Sequence, residues 1–373
     1  MGYGIGARYA EAMTQLADLT TLRVGGPADS LVEASSEAEF IEAVRTADAT
    51  QTPLLVLGGG SNLLVSDDGF AGTVVRDDRH DLSVQDDGMC GGVSITMSAG
   101  MPWDNVVARA VDEGWVGIEA LSGIPGSTGA TPVQNVGAYG AEVADWTALV
   151  RTWDRHENRV RSLARIECQF GYRDSLLKRT MRGLGPDGRT WRPTPRYVVL
   201  DVTMQMRFGT LSSPIRYAQL AQTLGIEVGQ RAPMVDVRAA VLELRASKGM
   251  VLDSGDPDTF SAGSFFTNPI LSPDAAAGLP GDAPRFPAGA GHPDGYVKTS
   301  AAWLIEHAGF GRGFAIGADA RASLSTKHTL ALTNRGNARA DDVVALARAV
   351  RDGVREAFGV DLVPEPVTLG VTI

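Results

Sequence analysis

The segment from Ile124 to Ala138 reads IPGSTGATPVQNVGA and is the most informative stretch of the chain. It combines small residues, hydroxyls and amides, and its two prolines restrict the path of the backbone. Such a strip can run at close range along a pyrophosphate and a ring system. The alternative is a plain glycine- and proline-rich loop between strands. Gln134 and Asn135 favour ligand contact, because they are polar amides between two apolar valines.

A second glycine-rich turn, GGGSNLL at 58–64, follows the apolar run Leu54–Leu57. Consecutive glycines can direct backbone N–H groups toward an oxyanion, and Ser61 and Asn62 add short side-chain donors. The turn is not a Walker A loop, because no Gly-Lys-Ser/Thr follows it. It is not a Rossmann fingerprint either, because Leu63 occupies the third glycine position. A structural tight turn remains the alternative.

The segments around this turn predict a small α/β domain. Ser36 and Glu39 have the spacing of a capping box, and the apolar residues that follow share one helical face. Apolar runs at 54–57, 63–65 and 73–75 predict strands.

Short strands dominate from Asp78 to Phe208, with clear examples at Val93–Ser98 and Tyr197–Phe208. One helix interrupts them at Asp104–Glu113, with Asp104 as its predicted N-cap and Gly114 as its terminator.

The last part of the chain changes to longer helices, expected at Val235–Lys248, Thr299–Ala308 and Asp341–Phe358. Residues 271–295 are rich in Pro, Gly, Ala and Asp and predict a variable loop. A glycine- and proline-containing segment at 183–195 predicts an exposed excursion.

Length and composition narrow the functional classes. The 373 residues suit two or three domains. No apolar run approaches the length of a membrane span, and the start resembles no signal peptide. The net charge of −10 argues against nucleic acid as a partner. Only two cysteines occur, Cys90 and Cys168, outside any metal-ligand spacing, so we expect no metal site and a reducing cytoplasm.

Three short motifs carry candidate chemical groups. In FGYRDS, at 170–175, a guanidinium beside a ring and a carboxylate can be held rigidly and stabilise an oxyanion. In GSFFTNP, at 263–269, a serine between a glycine and two phenylalanines suits a proton donor. In PEP, at 364–366, two prolines fix the direction of one carboxylate. The alternatives are a surface salt bridge, a serine at a strand start and a solvated glutamate at an edge-strand kink.

Several basic residues form a candidate anion site. Arg245 and Lys248 lie three apart on a predicted helix and should share a face. With Lys298, Lys327 and His328 they could line a cleft for an anionic substrate, and a solvated helix face is the alternative.

These segments together resemble one family closely, the UDP-N-acetylenolpyruvoylglucosamine reductases of peptidoglycan precursor synthesis. The matching segments run in family order and cover nearly the whole chain from Thr21: TLRVGGPA at 21–28, VLGGGSNLLV at 56–65, GIPGSTGATPVQNVGAYGAE at 123–142, FGYRDS at 170–175, AGSFFTNP at 262–269 and EPVTLG at 365–370. Each segment is weak alone, and six in this order are a strong signal.

The resemblance implies an α+β fold of the vanillyl-alcohol-oxidase type, in which two α/β subdomains bind FAD and a C-terminal α/β domain covers the substrate. The implied domains are 1–77 with the C-terminal strand 366–373, then 78–208, then 209–365. Related oxidases attach FAD through a histidine beside the first glycine loop. Ser61 and Asn62 stand there in this sequence, so non-covalent FAD is expected. The implied FAD contacts are Gly58, Gly59, Gly60, Ser61, Asn62, Leu63, Ile124, Pro125, Gly126, Ser127, Gly129, Ala130, Gln134, Asn135, Gly137 and Ala138.

The resemblance also implies a two-step reaction with Arg173, Ser264 and Glu365 at the catalytic positions. NADPH first reduces FAD and leaves. UDP-N-acetylglucosamine enolpyruvate then enters and receives hydride at C3, while Ser264 donates a proton to C2 to give UDP-N-acetylmuramate. Arg173 and Glu365 would act at the enolate. Because a bare carboxylate cannot stabilise an anion, Glu365 is expected to act protonated or through its hydrogen bonds.

The PIRY segment at 214–217 is similar to the tyrosine loop of one type within this family, which assigns Tyr217 to the substrate diphosphate. The further implied substrate contacts are Tyr172, Arg245, Lys248, Asn268, Lys298 and His328. Residues 183–195 and 271–295 follow no family pattern, and Thr21-Leu22 replaces the usual Asn/Thr-Phe.

Two other functions compete with this one. A flavin oxidoreductase that acts on an alcohol or sugar would keep both glycine loops but has no reason to combine Ser264 with Glu365. A sugar-nucleotide-binding scaffold that has lost its flavin would not need the two loops intact. The sequence therefore predicts a monomeric cytoplasmic reductase, with no nucleic-acid or membrane partner.

Overall fold

The structure is a computed structural model that describes residues 8–9, 14–86, 92–289 and 291–373. The chain divides into two compact units. Unit 1 comprises residues 1–14, 28–59 and 71–246, and unit 2 comprises residues 15–27, 60–70 and 247–373. The three-domain division stays a prediction. Cys90 lies outside the described residues.

The strands of the described residues are β1 (Arg8–Tyr9), β2 (Ala28–Ala34), β3 (Leu54–Val56), β4 (Leu63–Val65), β5 (Phe70–Asp77), β6 (Leu82–Asp86), β7 (Val93–Ser98), β8 (Trp115–Val116), β9 (Gly137–Ala138), β10 (Ala141–Glu142), β11 (Thr147–Asp154), β12 (Arg159–Ala164), β13 (Tyr197–Phe208), β14 (Ile270–Leu271), β15 (Phe286–Pro287), β16 (Val297–Lys298), β17 (Ala322–Leu324), β18 (Leu332–Asn334) and β19 (Val367–Leu369). The α-helices are α1 (Glu37–Ala49), α2 (Trp103–Asp112), α3 (Thr131–Gln134), α4 (Arg165–Cys168), α5 (Leu176–Thr180), α6 (Ala218–Leu224), α7 (Met234–Ser247), α8 (Pro273–Ala277), α9 (Ala301–His307) and α10 (Ala340–Phe358).

Unit 1 contains two sheets that share a hydrophobic core. The first has the strand order β1-β2-β5-β3, and the second has the order β12-β11-β13-β7-β6 with β8 beside β13. Phe40 and Val44 of α1 pack with Leu54 of the first sheet and with Trp153 and Leu200 of the second. Helix α1 therefore packs on both sheets, and β3, which leads toward the first glycine loop, is one of the strands that it contacts.

Unit 2 is built around α9 and α10. The apolar faces of these helices pack on β17, β18 and the buried pair Phe265 and Phe266. Strand β19 pairs in parallel with β4, and Val367 lies opposite Leu63. The chain's last strand is thereby joined to the strand that directly follows the first glycine loop.

Most predicted elements are present within one or two residues of their expected bounds. The N-cap at Ser36 is confirmed, because its hydroxyl accepts a hydrogen bond from the Glu39 backbone N–H at 3.2 Å. The full capping box is not formed, because the Glu39 carboxylate accepts from Ser35 N–H at 2.9 Å and not from Ser36 N–H. The predicted N-cap at Asp104 is wrong. Helix α2 starts one residue earlier, and the Asp104 carboxylate instead accepts hydrogen bonds from Gly123 N–H at 2.6 Å and from Arg238.

Two further expectations need correction. Residues 271–295 were expected to be a loop, but they include α8 and β15, because Ser272 caps a short helix and β15 pairs with β16. Lys248 was expected on the helix of Arg245, but α7 ends at Ser247 and Lys248 lies in the turn that follows it.

Candidate functional site

The glycines of the first loop in unit 1 allow a close approach between two backbone segments. A Cβ on Gly58 would lie 2.5 Å from Ser127 Oγ, and one on Gly59 would lie 2.7 Å from Gly126 Cα. No backbone acceptor among the described residues takes the N–H of Gly58 or Gly59. Two adjacent N–H groups are thus left to donate to a bound anion, which fits the diphosphate of a dinucleotide.

The second glycine loop is held against the end of β7 and the start of α2. The N–H groups of Thr128 and Gly129 donate to the carbonyls of Met101 and Ala99 at 2.8 and 2.9 Å. A Cβ on Gly129 would lie 2.5 Å from the Cβ of Ala99, so only glycine fits there. The loop then forms a 3-10 turn that leads into α3.

Asn135 ends α3 in the left-handed region, with a φ of +43°, and is almost fully buried. Its amide nitrogen donates to Glu142 Oε2 and to the Gly171 carbonyl, both at 2.8 Å, and its Oδ1 accepts from Ala144 N–H at 3.2 Å. The side chain thus organises the loop, and its contact with FAD stays a prediction.

Arg173 lies against this second loop. Its backbone is left-handed, with a φ of +51°, in a turn closed by hydrogen bonds between Gly171 and Asp174. The guanidinium donates from Nη2 to the Gly137 carbonyl at 2.7 Å and from Nη1 to the Asn135 carbonyl at 3.4 Å. The positive charge is therefore held at a defined position beside the loop.

Lys178 is a neighbour of this turn that the sequence did not single out. The residue is 5% exposed, and its Nζ donates to Gln134 Oε1 at 2.7 Å and to the Arg173 carbonyl at 2.9 Å. The only sequence feature that pointed to Lys178 was its place five residues after Arg173 of the FGYRDS motif. Its helix has five residues, which are too few to show an amphipathic pattern.

Tyr217 and Arg245 are both near Tyr139, a residue that the sequence also did not single out. The Tyr139 and Tyr217 rings meet edge to face with centroids 5.5 Å apart, and Tyr217 is exposed. Arg245 is 8% exposed, and its Nε donates to the Gly123 carbonyl at 3.1 Å. Burial lowers the pKa of Arg245 and raises the pKa of Tyr139.

In unit 2 the chain brings Ser264 and Glu365 onto adjacent backbone. Glu365 N–H donates to the carbonyl of Phe265 at 2.9 Å, one residue after Ser264. Asn62 donates from its side chain to the Glu365 carbonyl at 3.5 Å, and its own carbonyl accepts from Val367 N–H at 3.0 Å. The two predicted catalytic side chains and the end of the first glycine loop thus share one backbone framework.

The remaining predicted substrate residues of unit 2 have separate surroundings. Asn268 Oδ1 accepts from Ala301 N–H at 3.0 Å at the start of α9, and Lys298 lies in β16 opposite Ile270. Lys327, expected to line an anion cleft, donates to Asp256 Oδ2 at 2.5 Å. This ion pair gives Lys327 a local acidic partner.

His328 is a half-buried residue with basic neighbours. Burial lowers its pKa to about 4, and the positive charges of Lys248 and Arg312 act in the same direction, while Glu306 opposes them. The imidazole is therefore neutral near pH 7 and can offer one donor and one acceptor to a ligand.

Among the described residues, no helix combines the length and apolarity that crossing a bilayer requires. Within the same part of the chain, no three His, Cys, Asp or Glu side chains converge on a metal-sized position.

Comparison with known proteins gives matches over nearly the whole chain. The profile of the UDP-N-acetylenolpyruvoylglucosamine reductase C-terminal domain matches residues 256–369, and that of an FAD binding domain matches residues 28–160. A UDP-N-acetylenolpyruvoylglucosamine reductase of Cutibacterium acnes is 54% identical over 96% of this chain and 90% of its own length. One of Thermobifida fusca is 52% identical over 96% of this chain and 97% of its own length.

A solved structure supports the same relationship. The UDP-N-acetylenolpyruvylglucosamine reductase of Thermus caldophilus superposes with a TM-score of 0.63 and 26% identity, over 98% of this chain and 100% of that one. Together with the FAD-binding profile and the mixed α and β content, this match confirms the predicted FAD-binding fold class.

Proposed function

The chain belongs to the UDP-N-acetylenolpyruvoylglucosamine reductase family, and on that premise we propose that it reduces UDP-N-acetylglucosamine enolpyruvate to UDP-N-acetylmuramate. NADPH is the proposed reductant and FAD the proposed bound cofactor. The observation that carries the proposal is the 54% identity to a family member over 96% of the chain. The product is a peptidoglycan precursor, so the proposed role is in cell-wall synthesis, and through it in cell shape and division. We propose a monomer that acts in the cytoplasm.

The glycine loops are the proposed FAD site. Gly58 and Gly59 offer two adjacent N–H groups, and Gly129 allows the second loop to lie close to β7. When bound, FAD would supply the redox chemistry, by accepting reducing equivalents from NADPH and passing them to the enolpyruvyl double bond. Ser61 and Asn62 occupy the position where related oxidases attach their flavin, so binding is proposed to be non-covalent.

Arg173 is proposed to stabilise the negative charge that develops on the substrate carboxylate side. Its guanidinium is positioned by hydrogen bonds to the Gly137 and Asn135 carbonyls. A pre-positioned cation stabilises a developing oxyanion without a reorganisation cost at the moment of reaction.

Ser264 is proposed to donate the proton to C2 of the substrate, and Glu365 to assist at the enolate. Gly263 has a φ of +73° and Phe265 is fully buried, so the serine stands on a restrained turn. The hydrogen bond from Glu365 N–H to the Phe265 carbonyl keeps the two residues in a fixed backbone relation.

A group of polar residues is proposed to bind the substrate, with Tyr217 at its diphosphate. Tyr217 is exposed at the start of α6, which leaves its hydroxyl accessible to a ligand. The further members of the proposed group are Tyr172, Arg245, Lys248, Asn268, Lys298 and His328.

The proposal is tested by turnover under anaerobic conditions. The purified protein should be yellow, and NADPH oxidation should depend on added UDP-N-acetylglucosamine enolpyruvate. A colourless protein that cannot be reconstituted with FAD would overturn the flavoenzyme assignment. A yellow protein that shows no substrate-dependent NADPH oxidation would reject the cell-wall reaction and leave another flavin oxidoreductase.

A further inference from the structure

We propose that Lys178 is a positioning residue that sets the orientation of the Gln134 amide and holds the turn of Arg173. The inference rests on the proposed function for the roles of Gln134 and Arg173, and on the structure for the contacts of Lys178. It concerns a buried cation that the proposed chemistry does not otherwise use.

The ammonium of Lys178 identifies which end of the Gln134 amide it meets. An ammonium group has three donors and no acceptor, so its partner atom has to be an oxygen. The distance from Nζ to Gln134 Oε1 is 2.7 Å, which is that of a charge-assisted hydrogen bond. The amide NH2 of Gln134 therefore points away from Lys178.

The consequence is a donor on the second glycine loop. Gln134 is half-buried, and the end of its amide that faces away from Lys178 is the NH2 group. A flavin ring carbonyl or ring nitrogen, or a phosphate oxygen, is an acceptor that this donor suits. If the amide were reversed, its oxygen would face those acceptors and would repel them.

The same ammonium donates to the Arg173 carbonyl at 2.9 Å. Arg173 has a φ of +51°, a conformation that non-glycine residues adopt only when their surroundings hold it. Ser175 adds a second hydrogen bond between this turn and the second glycine loop, because its hydroxyl donates to the Val133 carbonyl at 2.8 Å. The turn of Arg173 and the second glycine loop are thus joined through their side chains, and Lys178 bonds to both.

Burial makes this arrangement sensitive to substitution. Lys178 is 5% exposed, so water cannot replace its hydrogen bonds. Removing a donor to buried or half-buried acceptors costs more than the net value of an exposed hydrogen bond.

The first test measures FAD affinity and both half-reactions in Lys178→Met and Lys178→Arg. Arg182→Met is the matched control, because it removes an exposed cation two residues beyond the same helix. We expect Lys178→Met to weaken FAD binding at least about tenfold and to slow flavin reoxidation by the enolpyruvyl substrate more than flavin reduction by NADPH. Lys178→Arg should recover part of both losses. Equal behaviour of Lys178→Met and Arg182→Met would overturn the proposal.

A second test isolates the orientation of the amide. Gln134→Glu keeps an oxygen for Lys178 and removes the NH2 donors, so FAD affinity should fall while the fold is retained. Wild-type affinity in Gln134→Glu would overturn the amide orientation, even if Lys178→Met failed to fold. In a Gln134→Met background the effect of Lys178→Met on FAD affinity should shrink to less than about twofold, and an unchanged effect would contradict the coupling.

The affinity measurements need no sugar nucleotide. A wild-type protein that binds FAD but does not turn over the enolpyruvyl substrate would therefore reject the proposed function and leave the effect of Lys178 on FAD measurable.

Discussion

Ser264 lies between Gly263 and the fully buried Phe265, and its hydroxyl is the proposed proton donor. Ser264→Ala should leave flavin reduction by NADPH intact and slow flavin reoxidation by the substrate at least about a hundredfold, as expected for loss of a general acid. Stopped-flow absorbance of the flavin separates the two steps. Ser254→Ala, at an exposed position of the same unit, is the control. Equal losses in both steps would remove Ser264 from this role.

Gly59 offers a test of steric fit in the first glycine loop. A Cβ there would lie 2.7 Å from Gly126 Cα, whereas a Cβ on Gly281 would meet no atom within 4 Å. Neither glycine has a positive φ, so the two alanine variants differ in the space available and not in backbone strain. Gly59→Ala should lower FAD affinity at least about tenfold, which corresponds to about 1.4 kcal/mol. Flavin fluorescence titration measures it, and equal affinities for Gly59→Ala and Gly281→Ala would contradict the prediction.

His328 should make the stability of the protein depend on pH in a known direction. Its pKa in the folded state is lowered from 6.5 to about 4 by burial and by Lys248 and Arg312. As the pH falls, the unfolded chain therefore binds a proton at His328 at a higher pH than the folded chain does. The free energy of unfolding is at its full value above about pH 6.5 and decreases as the pH drops toward 4. At pH 5 the loss is up to about 2 kcal/mol relative to pH 7.5.

His328→Gln should abolish this part of the pH dependence. Urea unfolding of both proteins at pH 7.5 and pH 5 measures the effect, because other titrating groups contribute equally and cancel in the comparison. The prediction fails if the two proteins lose the same free energy of unfolding between these pH values.

The residues singled out in the fold and in the candidate site differ in how far the sequence could predict their contacts. The N-cap at Ser36 was predictable because it depends on a contact within three residues, with the backbone N–H of Glu39. Asp104 was misjudged because its carboxylate bonds Gly123 and Arg238, which are distant in sequence. Lys178 bonds Gln134, which is 44 positions away, and Tyr139 meets the distant Tyr217, so no local pattern predicts these contacts.

At the scale of elements, β3 ends directly before the first glycine loop and lies at the edge of its sheet. The Thr194 hydroxyl supplies hydrogen bonds to two backbone groups of this edge strand. It accepts from Val56 N–H and donates to the Leu54 carbonyl, both at 2.8 Å. Arg155 in turn donates to the Thr194 carbonyl at 2.8 Å. The 183–195 excursion, which follows no family pattern, therefore supports the strand that positions Gly58.

Thr194→Val should destabilise the protein by about 2 kcal/mol and weaken FAD binding. The substitution keeps the shape of the side chain but removes the partner of the part-buried Val56 N–H and of the buried Leu54 carbonyl. Thr194→Ser keeps the hydroxyl and is the control. Urea unfolding and flavin titration provide the two measurements. Wild-type stability in Thr194→Val would show that the edge of β3 has another source of hydrogen bonds.

The elements themselves were predictable where their periodicity was long. Val93–Ser98 alternates apolar and polar residues throughout, Tyr197–Phe208 does so from Leu200 onward, and both strands have the predicted bounds. Helix α8 was missed because it has only five residues, too few for a periodic pattern. Its start is nevertheless marked, since Ser272 is the N-cap and Pro273 occupies the first turn.

At the scale of the whole molecule, the units are discontinuous in sequence. Unit 2 includes 15–27 and 60–70 together with the C-terminal part of the chain. This division depends on pairings such as β4 with β19, whose residues are about 300 positions apart. Such a pairing cannot be recognised from the local sequence, so composition and periodicity suggested contiguous domains instead. Only the family resemblance predicted that the last strand joins the N-terminal part of the chain.

The mode of FAD attachment is a property of the whole protein that can be tested directly. The first glycine loop contains no histidine or cysteine, and Cys168, the one cysteine among the described residues, is fully buried with its pKa raised to about 12 by desolvation. A buried, protonated thiol is a poor nucleophile, so Cys168 should not attach the flavin. With no histidine or cysteine in the first glycine loop, denaturation should release the flavin. After acid precipitation the supernatant should be yellow and the pellet colourless, and a yellow pellet would contradict the prediction.

Because binding is reversible, added FAD should also stabilise the protein, by about 2.7 kcal/mol at a hundred times its Kd.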